Sequence, residues 1–380
     1  MKQKSFFAKA TLAVALAIFS STAAMGERLP AAPDESTSPA EVSEYSTLRP
    51  LVGESAPDWI KDVASRIQLH GYAQGGYQFA RKGGNSTNTF ELKRVLFWAN
   101  ARITDRWSFL FMHDFSSVVQ EFYTDYRLTK NKALTIRLGQ FKNGLSLENP
   151  LSPTNMETID VYSEAVTFLT GCGSDPLFGV QYGRDLGLSL FGETNDGRLR
   201  YELDVMNGQG INRRDANNFK DFIARLEYRP LRGLNLVATG QIGRGHAIAT
   251  SLYNPSIQEG DDYKRNRWTL GFDYKSSCFK LHGEYLEGYD ADVVSRGAYL
   301  TGSVPLFTPK LELIGSYDFF NFNTDLSMDQ HKVVAGLQYW FFRRCRVQLQ
   351  YVYKSAFISN NQFVHGANHG LMCQVQVRFN

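Results

Sequence analysis

The 380-residue sequence has no apolar run long enough to cross a membrane as a helix. Any membrane span would therefore have to be made of strands. The sequence also lacks an excess of charge of one sign, since 41 Lys and Arg face 38 Asp and Glu, for a net charge of +3. This near balance argues against nucleic acid as a partner.

Residues that usually carry chemistry are scarce. His365 and His369 share one segment, but no third metal ligand lies nearby in the sequence. There is no GxSxG motif and no P-loop. We therefore predict no enzyme, no catalytic residue, no metal site and no cofactor. The cysteines show no CxxC or metal-type spacing, which leaves their pairing open and favours buried or lipid-facing thiols, at Cys172, Cys278, Cys345 and Cys373.

What the sequence does contain is a two-residue alternation of apolar and polar side chains. In the segment from Leu371 to Phe379 the odd positions are apolar, whereas the even positions from Gln374 to Arg378 are polar. Successive side chains of a strand point to opposite faces, so the segment has one apolar and one polar face. The pattern recurs about sixteen times between Ile67 and Asn380.

The first 66 residues differ from the rest. Lys2, Lys4, an apolar stretch from Phe6 to Phe19 and the small residues around Ala24 predict a signal peptide over residues 1–26. The alternative, a helical anchor, would need a longer apolar run. Residues 27–66 form a Pro-rich periplasmic linker with a possible short helix, and residues 67–380 form the strand-rich domain.

The alternation predicts sixteen strands, joined by connections of alternating length. The strands are predicted at 67–80, 89–104, 107–116, 119–129, 132–142, 180–193, 198–207, 218–229, 232–244, 264–275, 277–289, 294–304, 309–321, 330–342, 343–355 and 367–379. Short turns alternate with longer loops, among them 208–217, 245–263, 322–329 and 356–366. Bacterial outer-membrane barrels have short periplasmic turns and longer outer loops, which would place both ends of this chain in the periplasm.

A soluble β-sandwich would alternate too, but three features favour a barrel. The predicted strands are about 10–14 residues long, which suits a tilted transmembrane strand. More than 300 residues of strand would be large for one sandwich. Many apolar faces end in an aromatic, which barrels place at the lipid–water boundary, namely Tyr228, Tyr274, Tyr285, Phe319, Phe341, Tyr353 and Phe379. We predict an all-β, transmembrane antiparallel β-barrel of about 16 strands, wide enough for an aqueous channel.

The longest connection, residues 143–179 after the fifth strand, is predicted to fold inward as a constriction loop. A loop this long is usually functional or disordered, and its apolar content favours packing inside the barrel over an exposed outer loop. It contains no Lys or Arg between Asn143 and Asp175. Its acidic side chains are Glu148, Glu157, Asp160, Glu164 and Asp175.

Strand parity predicts a basic wall around this loop. In the second strand Val95, Phe97 and Ala99 would face lipid, which turns the even positions inward. Applied to the other strands, the same reasoning predicts the pore-lining residues Arg94, Arg102, Arg137, Arg225, Arg265, Arg267, Lys280, Lys332, Arg346 and Lys354. A basic wall against an acidic loop would order ions in a transverse field. Alternatively, each wall charge is solvated or paired with Asp114, Asp125 or Glu284.

Several segments resemble the phosphate-selective porin O and P family, from about Ile67 to the C-terminus. They are Phe90–Arg94, Ile136–Lys142, Leu145–Glu148 and Asn207–Asn212. The resemblance implies a sixteen-stranded, usually trimeric outer-membrane channel with a lysine-lined constriction for phosphate. The long loop of this chain lacks Lys, so we expect no tight phosphate site. The chain also ends in Asn380 after Phe379, where such barrels usually end in an aromatic residue.

These observations favour an outer-membrane porin for passive diffusion of small hydrophilic solutes and ions, with a weak anion preference. The expected partners are outer-membrane lipid, small anions or other hydrophilic solutes, and two further copies in a homotrimer. A phosphate- or polyphosphate-selective channel is the main alternative. An outer-membrane enzyme and a surface adhesin or scaffold are alternatives from other classes.

Overall fold

The computed structural model describes residues 55–175, 177 and 179–379. The predicted signal peptide, the linker up to residue 54 and Asn380 lie outside the described residues. None of the helices within the described ranges is long and apolar enough to cross a membrane. The described residues form two short helices, α1 (Asp58–Arg66) and α2 (Glu164–Leu169).

Sixteen antiparallel strands form one closed barrel, which confirms the predicted fold class. Each barrel strand pairs with the preceding and the following strand of the barrel, and the first and last strands, Ile67–Lys82 and Gln362–Phe379, pair to close it. The barrel strands are β1 (Ile67–Lys82), β2 (Asn85–Arg102), β3 (Trp107–Asp114), β4 (Val119–Arg127), β5 (Thr135–Lys142), β8 (Arg184–Glu193), β9 (Leu199–Met206), β10 (Asp221–Leu231), β11 (Leu234–His246), β12 (Asp262–Lys275), β13 (Lys280–Asp290), β14 (Val293–Leu306), β15 (Thr308–Asn321), β16 (Asp329–Phe342), β17 (Cys345–Ser359) and β18 (Gln362–Phe379). Two further strands, β6 (Ser174–Asp175) and β7 (Gly179–Val180), pair with each other outside the barrel sheet.

The prediction of a long loop at 356–366 was wrong. β17 and β18 continue through this segment and meet in a two-residue turn at Asn360 and Asn361. Both asparagines have positive φ, at 47° and 60°. Asparagine tolerates this left-handed conformation, and a turn with φ > 0 at both central residues matches the twist of a hairpin.

The barrel is apolar outside and polar inside. On β10 the outward side chains of Phe222, Leu226 and Tyr228 are exposed, whereas Arg225 and Glu227 between them are buried. The same alternation places exposed leucines on the outside of other strands. An apolar outer surface around a polar interior is typical of a barrel embedded in lipid.

The wall is uneven in height. β3 and β5 have eight residues and β4 has nine, whereas β11 and β12 have 13 and 14. At about 3.3 Å per residue and a tilt near 45°, eight residues rise only about 19 Å. This is less than the apolar band of about 25 Å that such barrels present to lipid. β9 also has eight residues, but it lies between strands of 10 and 11 residues, whereas β3, β4 and β5 are three short strands in succession and form a low wall.

None of the four cysteines, all within the described ranges, forms a disulfide. Cys172 and Cys345 are buried, Cys278 is exposed, and Cys373 is intermediate. The burial of Cys172 and Cys345 agrees with the expectation of buried thiols. Cys278 lies in the exposed turn between β12 and β13.

Candidate functional site

The loop between β5 and β8 lies inside the barrel and contacts the walls around it. Its apolar side chains meet apolar patches in an otherwise polar lumen. Leu145 packs with Ile223 of β10, and Ile159 packs with Val334 and Val352 of β16 and β17. Because Leu145 and Ile159 are each only 1% exposed, the loop is a packed part of the interior.

Helix α2 is the folded centre of this loop. Ser163 caps its start, because its Oγ accepts a hydrogen bond from the backbone N–H of Val166 at 3.1 Å. The helix then buries Val166 and Leu169 against Leu286 and Phe320 of the wall. These contacts fix the helix against β13 to β15.

Glutamines of β17 and β18 bind the main chain of the loop. Gln350 accepts a hydrogen bond from the backbone N–H of Ile159 at 2.8 Å and donates to the carbonyl of Glu157 at 2.7 Å. Gln348 donates to the same carbonyl at 2.9 Å. Gln376 donates to the carbonyl of Thr154. We call Gln348, Gln350 and Gln376 the glutamine patch. All three are 1% exposed, so neutral amides hold this part of the loop in a dry contact.

Two lysines of the wall bind the acidic part of the loop. Lys354 Nζ lies 2.7 Å and Lys332 Nζ 3.1 Å from Glu164 Oε1. Lys332 also lies 3.7 Å from Asp160 Oδ2, and Lys93 approaches Asp160 Oδ1 at 3.9 Å. We call these five side chains the lysine latch.

The electrostatics of the lysine latch favour charged carboxylates. Burial alone would raise the pKa of Glu164, but the ammonium groups of Lys354 and Lys332 lower it well below its ordinary value. Burial likewise opposes the charge of Asp160, and Lys332, Lys354 and Lys93 lower its pKa. Both acids are therefore ionised and compensated at neutral pH.

Two further predicted loop acids, Glu148 and Glu157, lie beside a histidine. His282 of β13 has Nε2 at 3.2 Å from Glu148 Oε1 and Nδ1 at 3.9 Å from Glu157 Oε2. All three side chains are less than 9% exposed. Glu148 also accepts a hydrogen bond from the backbone N–H of Ser163, so it ties the start of α2 to the wall.

Arg225 and Glu284 bind the first turn of the loop. The Arg225 guanidinium donates to the carbonyls of Gly144 and Ser146. Glu284 accepts from the Ser146 hydroxyl and from the Leu147 backbone N–H, both at 2.8 Å. Ser146 has a positive φ of 75°, a strained value for a non-glycine residue, and these contacts over-determine it.

Five other predicted wall residues are held by partners. Arg137 binds Asp125 at 2.7 Å, as one of the sequence-based alternatives expected. Arg265 pairs with Asp221, and Lys280 with Glu312. Arg267 pairs with Asp290 and donates to the carbonyl of Leu169, and Arg346 donates to the carbonyl of Met156 at 2.7 Å.

Arg94 and Arg102 of β2 differ from these residues. The Arg94 guanidinium donates to the amide oxygen of Gln74 at 3.1 Å, and no carboxylate of the described residues lies within ion-pair distance of it. Arg102 lies exposed at the end of β2. Lys142, at the end of β5, likewise donates to carbonyls, those of Asn149 and Leu151, without an ion pair among the described residues.

The sequence-based reasoning missed three of these residues. Lys93 reaches the lumen because β2 has a bulge there, where Gln74 pairs with Arg94 and Gly75 pairs with Leu92. The adjacent polar residues Lys93 and Arg94 break the two-residue alternation, which is a readable signal for a bulge. Lys142 ends a strand, and His282 is a single inward-facing histidine, so neither had a local signal.

The comparisons with known proteins show similarity at the level of the fold. The anion-selective porin of Comamonas acidovorans superposes with a TM-score of 0.60 at 13% identity, over 82% of this chain and 99% of that one. OmpF of Salmonella typhi, in complex with daunomycin, gives 0.60 at 14% identity, over 82% and 97%. OmpT of Vibrio cholerae, solved in a trimer form, gives 0.54 at 13%, over 82% and 100%.

The chain has the fold of these porins. The sequence matches no protein-family model and no curated protein. At such low identities the similarity extends to the architecture, and the further argument rests on the side chains of this chain.

Proposed function

We propose that the protein is a bacterial outer-membrane channel through which small hydrophilic solutes and ions diffuse passively. One observation carries the proposal: a closed barrel of sixteen strands, apolar outside and polar inside, contains its longest loop within the lumen. A barrel of this size encloses more space than its wall side chains fill. The loop then sets the width of the remaining path.

A weak anion preference is supported by the distribution of compensated charge. The loop acids Asp160 and Glu164 are paired with lysines of the wall. Arg94, in contrast, binds only a neutral acceptor among the described residues. A cation without a neighbouring carboxylate leaves a net positive potential, which raises the local concentration of anions.

Single-channel recording in planar bilayers tests this function. We expect discrete conductance steps and a reversal potential in a chloride gradient that indicates anions permeate somewhat faster than potassium. A protein that inserts into the bilayer but produces no steps would contradict the channel proposal. An adhesin, scaffold or enzyme would then become the better interpretation.

A phosphate-selective channel is the second candidate, favoured by Arg94. Its guanidinium could bind a phosphate through charge-assisted hydrogen bonds, whereas the Lys142 ammonium already donates to Asn149, Leu151 and Tyr162. Micromolar phosphate would then block the chloride current. We favour the general channel because most other lumen cations, including Arg225, Arg265 and Arg267, already have carboxylate partners.

We also propose that the barrel assembles as a homotrimer through its low wall. Strands β3 to β5 are too short to cover the apolar band, and they expose Phe111, Phe122 and Leu138 outward. A neighbouring copy would cover these side chains and extend the wall. The trimer form of the similarly folded OmpT agrees with this proposal.

For the residues before the barrel, we propose a cleaved signal peptide over 1–26 and a periplasmic linker over 27–66. N-terminal sequencing of protein isolated from outer membranes tests the cleavage. We expect the mature chain to begin near Glu27, whereas a chain beginning at Met1 would contradict it.

A further inference from the structure

Arg244 of β11 and Lys264 of β12 lie directly opposite each other on the outside of the barrel. Both are exposed. Like charges at directly opposed positions of two strands are destabilising. Among the described residues, neither cation forms an ion pair that would offset the repulsion.

The nearby acids are bound to other side chains. Asp262, two residues before Lys264, accepts a hydrogen bond from His246 at 2.8 Å. Asp215 binds Lys220. The local arrangement therefore leaves the Arg244–Lys264 pair facing the surroundings without an anion of its own.

The register places this pair at the edge of the membrane. Roughly 9–11 residues of tilted strand cross the apolar layer. About that length separates Arg244 from Leu234, where β11 begins, and Lys264 from Lys275, where β12 ends. Immediately below the pair on the outer face, Phe222 is paired with Ile242. These two side chains are 53% and 63% exposed, as expected for lipid contact.

The side chain of Arg244 is held in place. Its guanidinium carbon lies 4.3 Å from the centroid of the Phe219 ring. Stacking on a ring occupies the face of a guanidinium and leaves the N–H groups in its plane free to donate. The group is thus oriented without using the donors that recognise an anion.

We propose that Arg244 and Lys264 bind the phosphate headgroup of a lipid in the outer half of the membrane. A phosphate supplies negative charge between two cations that repel each other, and it accepts hydrogen bonds from both. The acyl chains would lie along the exposed Ile242 and Phe222. The inference rests on the proposed location of the barrel in a membrane.

Native mass spectrometry and thermal unfolding with added phosphatidic acid test the site, using the full-length barrel in dodecyl maltoside. We expect R244Q/K264Q to bind phosphatidic acid at least tenfold more weakly than the unmodified protein. The control variant K310Q/R343Q removes two exposed cations on the opposite, periplasmic side. It should bind like the unmodified protein.

A single charge reversal separates lipid binding from general stability. K264E would pair with Arg244, so it should unfold at a higher temperature than the unmodified protein without lipid and gain no stability from phosphatidic acid. Equal binding by all variants would overturn the site. Equal protection by inorganic phosphate at the same concentration would overturn the lipid assignment in favour of a soluble anion.

Reconstitution into phosphatidylcholine vesicles keeps this outcome distinct from the proposed function. A barrel that conducts ions while R244Q/K264Q binds phosphatidic acid normally would overturn only the lipid site. A barrel that fails to insert would contradict the channel itself.

Discussion

Lys354 of β17 donates from Nζ to Oε1 of Glu164 across 2.7 Å, which joins a wall strand to a loop residue 190 positions away in the chain. With Lys332 on the neighbouring strand, this contact holds the start of α2 against the barrel. The loop is thus held by specific bonds whose removal has measurable consequences.

The first prediction concerns this contact. K354M should leave Glu164 with one lysine partner and destabilise the loop by about 1–3 kcal/mol, since removing one partner of a mostly buried ion pair leaves a charge uncompensated. Open-channel noise should rise. The double variant K354M/E164Q should be less destabilised than the sum of the single variants in a double-mutant cycle. Additive effects would show that the two side chains do not interact.

Acidic pH should release the same contact. Lysines lower the pKa of Glu164 below its ordinary value of 4.5, so the contact adds stability above that value and loses it as pH falls toward the lowered pKa. We expect constant conductance from about pH 8 to pH 5 and an increase below about pH 4. The variant E164Q should lack this transition. An increase already at pH 6 would point to another titrating group, such as a histidine.

Removing the loop should widen the channel. Deletion of residues 148–170 takes away α2, the lysine latch contacts and the segment bound by the glutamine patch. We expect conductance to rise several-fold because the wall alone encloses a wider lumen. Circular dichroism and heat-dependent gel mobility would verify that the barrel assembles. Unchanged conductance in an assembled barrel would place the loop outside the permeation path.

The charge preference should depend on cations without carboxylate partners. R94Q should lower the chloride-to-potassium permeability ratio, by about twofold, because it removes an uncompensated charge. The matched variant R137Q removes a cation that is paired with Asp125, so it should also lower the ratio, because the Asp125 carboxylate is then left without its cation. Adding D125N to R137Q should restore the ratio. No such second substitution should restore the ratio of R94Q, because Arg94 has no carboxylate partner among the described residues.

Replacing loop acids should have the opposite effect. The triple variant E157Q/D160Q/E164Q frees Lys332 and Lys354 from their partners, so reversal potentials should shift toward anions. A shift toward cations would mean that these lysines leave the permeation path when the loop loses its acids. The single variant D175N provides a control for charge within the same loop.

The low wall gives a prediction about assembly. F122R places a charge on the outward face of β4, and we expect it to reduce the trimer fraction in crosslinking and size-exclusion experiments. L337R places the same charge on the outside of β16, a 14-residue strand. An arginine facing lipid is unfavourable at both positions. If F122R reduces the trimer fraction and L337R does not, the interface lies at the low wall. Equal losses would contradict an interface at the low wall.

The sequence was sufficient for the barrel because its signal is local. Period-two alternation predicts which side chains of β10 face inward, and Arg225 and Glu227 are buried accordingly. The loop partners could not be predicted in this way. Glu164 finds its lysines through the closure of the barrel, and alternation contains no information about which wall residue a long loop meets. Gln348 and Gln350 gave no signal either, since an uncharged polar side chain fits any wet surface.

The glutamine patch and the lysine latch respond differently to salt. Dissolved ions screen attraction between charges, and they act more weakly on hydrogen bonds between neutral amides buried at 1% exposure. Concentrated salt would therefore loosen the end of the loop at Asp160 and Glu164 before the segment near Glu157. The segment between the glutamine patch and α2 would then gain freedom while the glutamines and the apolar face of α2 stay bound to the wall, so ionic strength would change the aperture without detaching the loop.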